Sequence, residues 1–332
     1  MLNEHSDYEL LAKRYPRYFR LERGASISTK KGDENILVYH LYDQEMEQEN
    51  LPVFGIFAGV HGIEAIGVKI LFHFIDHLLA QTAWNSTVQT LLRRVKIIGI
   101  PIVNPSGFIA GSRSNGNGVD LMRNAPVESE QQLLFIGGQK FSNKLPWFRG
   151  ENEFETENKE VIRVVQDLLW KAPFALSLDI HSGFGVEDFL WTPYAKRTGY
   201  PPTWEEYLAL KAVLDTTLKH HVYKYEPQSM NYCTSGDLWD YLYDLSIEKK
   251  ASGSLFLPLT LEVGSWVWVK KSPGSAFHLR SFFNPVHPHR ERRVLRRHLP
   301  LLNLLTQAVA NYQGIYPKMC DPESQFLKVG TR

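Results

Sequence analysis

Cysteine is scarce in this chain of 332 residues: there are two, Cys233 and Cys320, far apart and outside any Cys-x-x-Cys spacing. That excludes a disulfide scaffold and a cysteine-based zinc site, and both thiols are expected to be free. Long apolar runs are missing as well. No uninterrupted stretch is long enough to cross a bilayer, and the first residues, Met1 to Asp7, lack a basic region followed by an apolar one. No membrane association is expected, and a cytoplasmic location is the default. An excess of either charge is also absent, with 37 Lys and Arg against 36 Asp and Glu. No global field recruits nucleic acid or an anionic surface, so charged ligands must be recognised locally.

What remains is a chain long enough to bury a large core. Pro52 to Ala58 and Val95 to Val103 are continuous runs rich in Ile, Val and Phe, as strands buried on both faces require. Between them Ile66, Ile70, Phe74 and Leu78 recur at helical spacing over Ala65 to Ala80. That is a strand, helix, strand unit, which predicts a parallel sheet. A second unit follows, with a helix over Asn158 to Trp170 feeding a strand from Phe174 to Ile180. A helix over 204–219 precedes the last buried strand, Phe256 to Val263. Nearer the N-terminus, residues 8–23 predict a short amphipathic helix passing into a strand, and alternation over Ile36 to Tyr42 predicts a half-buried strand. Apart from the polar stretch 128–158 there is neither linker nor repeat, so a single domain over 1–332 is expected, ending in a helix over about 290–312.

The chemistry gathers at the ends of these strands. Val60-His61-Gly62-Ile63-Glu64 closes one apolar run and opens a helix, so a His and a carboxylate three positions apart can face one divalent ion. Alone, such a pair marks an ordinary polar loop. Asp179-Ile180-His181 and Leu261-Glu262-Val263-Gly264 close two further runs, and parallel strands bring such ends together. A hydrolytic zinc site needs three protein ligands and one open position for water, whose pKa the metal lowers to about 7. His61, Glu64 and His181 meet that count. The water also needs a base, and Glu262 at a buried strand end is the candidate, since desolvation raises a carboxylate's pKa. The loop after the second strand adds two arginines, Arg113 and Arg123, suited to an oxyanion and to a substrate carboxylate.

Taken together these residues resemble the zinc carboxypeptidases of the carboxypeptidase A type. Their pattern runs His-x-x-Glu, then Arg-x-Asn-x-x-Gly-Val-Asp-Leu-Asn-Arg-Asn, then a lone His, then a Glu at a strand end. The matching positions are His61 and Glu64, the segment Arg113 to Asn124, His181 and Glu262, spanning roughly residues 50–265. The resemblance implies a three-layer α/β sandwich, its mixed, mostly parallel twisted sheet flanked by helices. It implies one Zn2+ ion on His61, Glu64 and His181, Glu262 as general base and Arg113 on the oxyanion. Arg123 and Asn124 would bind the substrate, with Arg123 as the clamp for its terminal carboxylate. Ser235 to Tyr241 looks like the segment ending in the substrate-binding tyrosine, which points to Tyr241, with Tyr232 and Tyr243 as alternatives. The implied substrate is a peptide or small amide carrying a carboxylate.

One position departs from the pattern: Met122 stands where the family has Asn, and Met cannot donate an amide hydrogen bond to a carboxylate. That leaves room for an amidase or deacylase acting on cell-wall peptides or N-acyl amino acids, and for a noncatalytic metal-binding module. Two other features read as structural. His73, Asp76 and His77 fall on the helix after the first ligands and are expected to be a surface or packing group. The basic stretch from His287 to His298, interleaved with leucines, reads as an amphipathic helix with a solvated cationic face, and no nucleic-acid partner is expected.

Overall fold

The computed structural model describes residues 2–46, 50–131, 133, 135–151, 153–249, 254–270 and 280–316. Cys320 lies outside them, and Cys233 is buried and free. The chain opens with α1 (Asn3–Arg14), the hairpin β1 (Phe19–Thr29) and β2 (Gly32–Leu41), then β3 (Val53–Ala58) and α2 (Ala65–Gln81). α3 (Ser86–Leu91) leads into β4 (Lys96–Ile100) and α4 (Pro105–Ala110), and α5 (Thr156–Val164) leads into β5 (Phe174–Ser182). Next come β6 (Asp188–Thr192), α6 (Trp204–Thr217), β7 (Tyr223–Pro227), α7 (Leu238–Lys249) and β8 (Leu255–Val263). α8 (Trp266–Lys270), α9 (Arg280–Phe283), α10 (Pro288–Ala310) and α11 (Tyr312–Ile315) complete it. None of the described helices is long and apolar enough to cross a membrane.

Among the described residues the strands form one eight-stranded sheet in the order β1-β2-β4-β3-β5-β8-β6-β7. Its centre, β4-β3-β5-β8, is parallel, and antiparallel pairings join β1 and β2 on one side and β6 on the other. Every residue of β3 and of β5 is buried, as the unbroken apolar runs require. Alternate residues along β3 divide between two cores. Phe54, Ile56 and Ala58 pack with α1, α2, α6 and α10, while Val53 and Phe57 pack with α5 and α7. This is the expected three-layer arrangement. The inward stripe of α2, including Ile66, Ile70, Phe74 and Leu78, is fully buried, and each such side chain contributes roughly 1.5–3 kcal/mol.

Three expectations are refined. β2 is not half-buried: its last six residues are all buried, because β1 and β4 flank it and both faces are covered. The helix expected over Asn158 to Trp170 is α5 followed by a π-helical turn, Val165–Leu169. The long loop after β4 contains α4 and a 3-10 turn, Leu121–Arg123.

Candidate metal centre and active-site pocket

Parallel pairing places the carboxyl ends of β3, β5 and β8 side by side, and the predicted ligands sit at or just past them. His61 and Glu64 occupy the turn between β3 and α2, and Glu64 stands at the cap position of α2. The turn is pressed hard against α4: a Cβ on Gly62 would lie 2.0 Å from the Gly107 carbonyl carbon. Only glycine permits that approach. His181 is the penultimate residue of β5 and Glu262 that of β8, and the two are direct register partners.

The result is a buried cluster. His61 Nδ1 lies 2.8 Å from Glu64 Oε1, and His181 Nδ1 lies 3.1 Å from Glu64 Oε2 and 3.2 Å from His61 Nδ1. One ligand atom from each of His61, Glu64 and His181 falls within 4.8 Å of the others, and these three form such a group among the described residues. The outward ring nitrogens are held by carboxylates, His61 Nε2 by Asp120 Oδ1 at 3.0 Å and His181 Nε2 by Asp179 Oδ2 at 2.8 Å. Each ring therefore turns its Nδ1 lone pair inward, the outer-shell pattern of zinc-binding histidines. Two imidazoles and a carboxylate also form the donor set zinc takes in hydrolytic sites. The residues fit the ion.

Charge supports the same assignment. Burial works to raise the Glu64 carboxyl, yet His61 and His181 beside it hold it well below the usual carboxylate range. Glu262 goes the other way: burial, with the Glu64 charge adding, pushes it up to about 8. Its Oε1 accepts the Phe184 amide at 2.9 Å. Two neighbouring carboxylates held far apart in acidity are what a division into ligand and proton carrier would require.

Arg113 is fixed by Asp120, whose Oδ2 accepts its Nε at 2.8 Å, and its Nη1 lies 3.5 Å from Glu64 Oε1. Burial opposes the Arg113 charge, but Asp120 and Glu64 more than restore it. Arg123 donates from Nε to the Ile136 carbonyl at 3.2 Å and from Nη1 to the Met122 carbonyl at 3.0 Å. The polar stretch 128–158 thus has a task. Its Ile136 holds the Arg123 head, and its Arg149 donates to the Arg123 carbonyl. Phe135 and Trp147 in this stretch hold positive φ angles of 65° and 61°, the kind of backbone strain found where a loop shapes a site.

His61, Glu64, Arg113, Arg123, His181 and Glu262 all line one pocket of about 370 Å³. Met122 lies in its wall too. Two predicted substrate residues do not. The Asn124 amide donates to the Arg149 and Glu153 carbonyls and its oxygen accepts the Glu155 amide, so it braces the loop. Tyr241 falls inside the first turn of α7, where its ring packs 5.1 Å from Phe154. The pocket's tyrosine is Tyr232, and burial first, with Glu262 adding, pushes its hydroxyl up to about 12. Tyr243 is structural, its hydroxyl paired with Thr203.

Two contributors escaped sequence reasoning as functional residues. Asp120 joins His61 to Arg113 and also accepts the Met122 amide at 3.1 Å. Asp179 receives both His181 and the Trp239 indole N–H, at 2.8 Å each. The signal for Asp179 was its place two residues before His181, which puts both on one face of a strand. His73, Asp76 and His77 take no part in the cluster. On α10, Val294, His298, Leu301 and Leu305 face inward, while Arg292, Arg293 and Arg296 are exposed.

A buried His-Glu-His cluster at the carboxyl ends of a mixed α/β sheet, with a carboxylate beside it, defines a metallohydrolase-type centre. The zinc carboxypeptidase family model matches residues 5–264, and the chain belongs to that family. Among curated proteins it is 25% identical to mouse carboxypeptidase M over 198 residues, covering 56% of this chain and 38% of that protein. It is 28% identical to the rat carboxypeptidase N catalytic chain over 158 residues, 41% of this chain and 32% of that one. The chain spans about a third of the length of these relatives. The fold is that of bovine thrombin-activatable fibrinolysis inhibitor, with a TM-score of 0.67 at 17% identity over 93% of this chain and 96% of that one. Carboxypeptidase A from Helicoverpa armigera gives 0.66 at 19% identity, over 93% and 73%.

Proposed function

We propose that the protein is a zinc-dependent metallocarboxypeptidase that hydrolyses a peptide or amide bond next to a substrate carboxylate. The observation that carries this is the convergence of the His61, Glu64 and His181 ligand atoms within 4.8 Å, in the same pocket as Glu262, Arg113 and Arg123. His61, Glu64 and His181 would hold one zinc ion, which supplies Lewis acidity when bound, acidifying water and drawing charge from a carbonyl oxygen.

The chain's own groups do the rest. Glu262 accepts the proton of the attacking water as its oxygen bonds to the carbonyl carbon, then returns that proton to the departing nitrogen. Its raised pKa suits both halves of the task, since it neither holds the proton too tightly nor releases it too readily near neutrality. Arg113 donates to the carbonyl oxygen as negative charge develops there, and Asp120 fixes its direction in advance. Arg123 receives the substrate carboxylate, its head aimed by the Ile136 and Met122 carbonyls. Tyr232 closes the wall beside them.

The test is hydrolysis by the zinc-loaded enzyme of N-acyl dipeptides with free and with amidated C-termini. Cleavage confined to the free acids, abolished by chelation and restored by zinc, is the expected result.

A second reading, an amidase or deacylase on cell-wall peptides or N-acyl amino acids, is favoured by Met122, which gives Arg123 no amide neighbour for gripping a carboxylate. Equal cleavage of amidated substrates, or a preference for N-acyl amino acids, would establish it instead. A noncatalytic metal-binding module is the reading to adopt if the protein binds no zinc and stays inactive after zinc is added.

A further inference from the structure

The start of α2 holds a conflict. Glu64 stands at its cap position, where a side-chain oxygen normally accepts the backbone N–H of the second or third helical residue. Its carboxylate makes no such bond. Both oxygens are committed to the cluster, Oε1 to His61 and Oε2 to His181 and to the Ser182 amide at 2.9 Å. The Ile66 N–H, at the second helical position, therefore gets no cap from its own turn, and a helix-end donor left unpaired away from water is costly.

Its partner comes from 218 positions along the chain. Asn284, which follows α9, accepts the Ile66 N–H on Oδ1 at 2.9 Å. Its Nδ2 donates to the Ile63 carbonyl at 2.7 Å and to the Arg280 carbonyl at 3.1 Å. One side chain thus grips the backbone on both sides of Glu64, with its oxygen and both of its N–H groups in use. An aspartate in its place would offer the two carbonyls no donor. The segment carrying Asn284 is anchored in turn, because the Ser182 hydroxyl donates to the Phe283 carbonyl at 2.7 Å. Ser182 follows His181, so α9 and the residue after it are tied to both chain segments that carry metal ligands. Phe283 also lines the pocket.

We infer that Asn284 is a positioning residue for the metal centre. It caps α2 in place of Glu64, which frees that carboxylate to act as a ligand, and it holds the turn carrying His61 and Glu64 in place. This rests on the zinc-binding reading of His61, Glu64 and His181.

The test compares wild type with N284A and N85A. Asn85 is the matched control: it caps α3 through Oδ1 to the Thr87 amide, donates from Nδ2 to Gln81, and does not line the pocket. Each substitution removes one capping side chain and should lower the Tm of the zinc-free protein by about 2 °C. Zinc affinity, measured well below either Tm by competition with a chromogenic chelator, should fall about 10-fold in N284A, as when a group behind a metal ligand is lost. In N85A it should stay at the wild-type value. Hydrogen exchange of the zinc-free protein should quicken over residues 60–68 in N284A alone. Unchanged zinc affinity in N284A, or an equal loss in N85A, overturns the inference, since lost stability would then explain everything. If wild type takes up no zinc, the metal reading has failed and exchange decides. Faster exchange over 60–68 confined to N284A upholds Asn284 as the residue that orders this turn, and wild-type exchange in N284A overturns it.

Discussion

Glu262 lies directly beside His181 in the parallel register of β5 and β8, so a candidate metal ligand and the candidate base hang from neighbouring strands with no loop between them. Their separation is fixed by the sheet's hydrogen bonds. β6 flanks β8 on the other side, with Phe189 opposite Glu262, and the Phe184 amide holds one carboxylate oxygen. A substitution that preserves size at this position should therefore disturb chemistry and little else. Glu262→Gln is expected to retain one zinc per chain by elemental analysis while kcat falls by about 10²-fold or more. A zinc-replete variant with wild-type turnover would remove Glu262 from the mechanism.

Asp120 links the metal cluster to the oxyanion arginine, because it fixes the His61 ring and the Arg113 guanidinium at once. Asp120→Asn removes the negative charge and leaves one acceptor oxygen where the His61 ring and the Arg113 guanidinium each need one. Zinc affinity, measured by competition with a chromogenic chelator, should drop about 10- to 100-fold, the usual cost of losing a carboxylate behind a ligating histidine. Turnover at saturating zinc should fall as well, since Arg113 loses its anchor. Asp179→Asn, which touches His181 and Trp239 but not Arg113, should show the affinity loss with a smaller effect on turnover. Equal losses in the two variants would mean that Arg113 is not oriented through Asp120.

How much of this was legible beforehand follows from where the physical signal resides. β3, β4, β5 and β8 are buried on both faces, and such strands must be written as unbroken apolar runs, so they could be read directly. β6 and β7 have five residues each and include charged positions such as Asp188 and Lys224, and no periodicity shows through so short a stretch. The four ligand and base residues were readable because His181 and Glu262 close strand runs and His61 and Glu64 fill the short turn between such a run and a helix. The tyrosine was misplaced because the start of α7 was not recognised. Asp237 immediately before Leu238 is a helix cap, and it puts Tyr241 inside the helix while Tyr232 stays on the loop that faces the pocket. Asn124 follows Arg123 in the motif, but beyond the 3-10 turn its side chain meets the backbone of 149–155 instead of the cavity.

Gly62 tests whether the metal site depends on a close backbone approach. A methyl at this position would lie 2.0 Å from the Gly107 carbonyl carbon and 2.1 Å from the Phe108 nitrogen, both main-chain atoms that cannot swing aside. Gly62→Ala must move either α4 or the turn carrying His61 and Glu64. Overpacking of this kind typically costs about 1–3 kcal/mol, and here it also displaces two ligands, so weakened zinc binding should accompany a lower Tm. Gly314→Ala is the control, because a Cβ there meets nothing within 4 Å. It should leave zinc affinity unchanged and stability equal to wild type or slightly higher.

Acid sensitivity should come in part from His298, far from the zinc cluster in sequence and wholly buried on α10. Its Nδ1 pairs with the Tyr223 hydroxyl at 3.0 Å, Asp188 Oδ2 lies 3.9 Å from its Nε2, and Arg297 beside it is bound to the same carboxylate. Burial, with the Arg297 charge adding and Asp188 opposing, pulls the imidazole down to about 4. The unfolded chain, with an ordinary histidine near 6.5, therefore takes up a proton that the folded chain refuses. The stabilisation is fully present above about pH 6.5, declines as pH falls, and is gone below about pH 4, amounting to roughly 3 kcal/mol in all. Urea titrations of the zinc-free protein at intervals from pH 7 to pH 4 measure it, provided wild type is compared with His298→Asn so that the other histidines cancel. The variant starts less stable at pH 7, because it loses packing and the Tyr223 contact, but its stability should fall less steeply with acid, and the two curves should converge as pH approaches 4. Parallel curves would show that His298 takes up protons equally in the folded and unfolded chains.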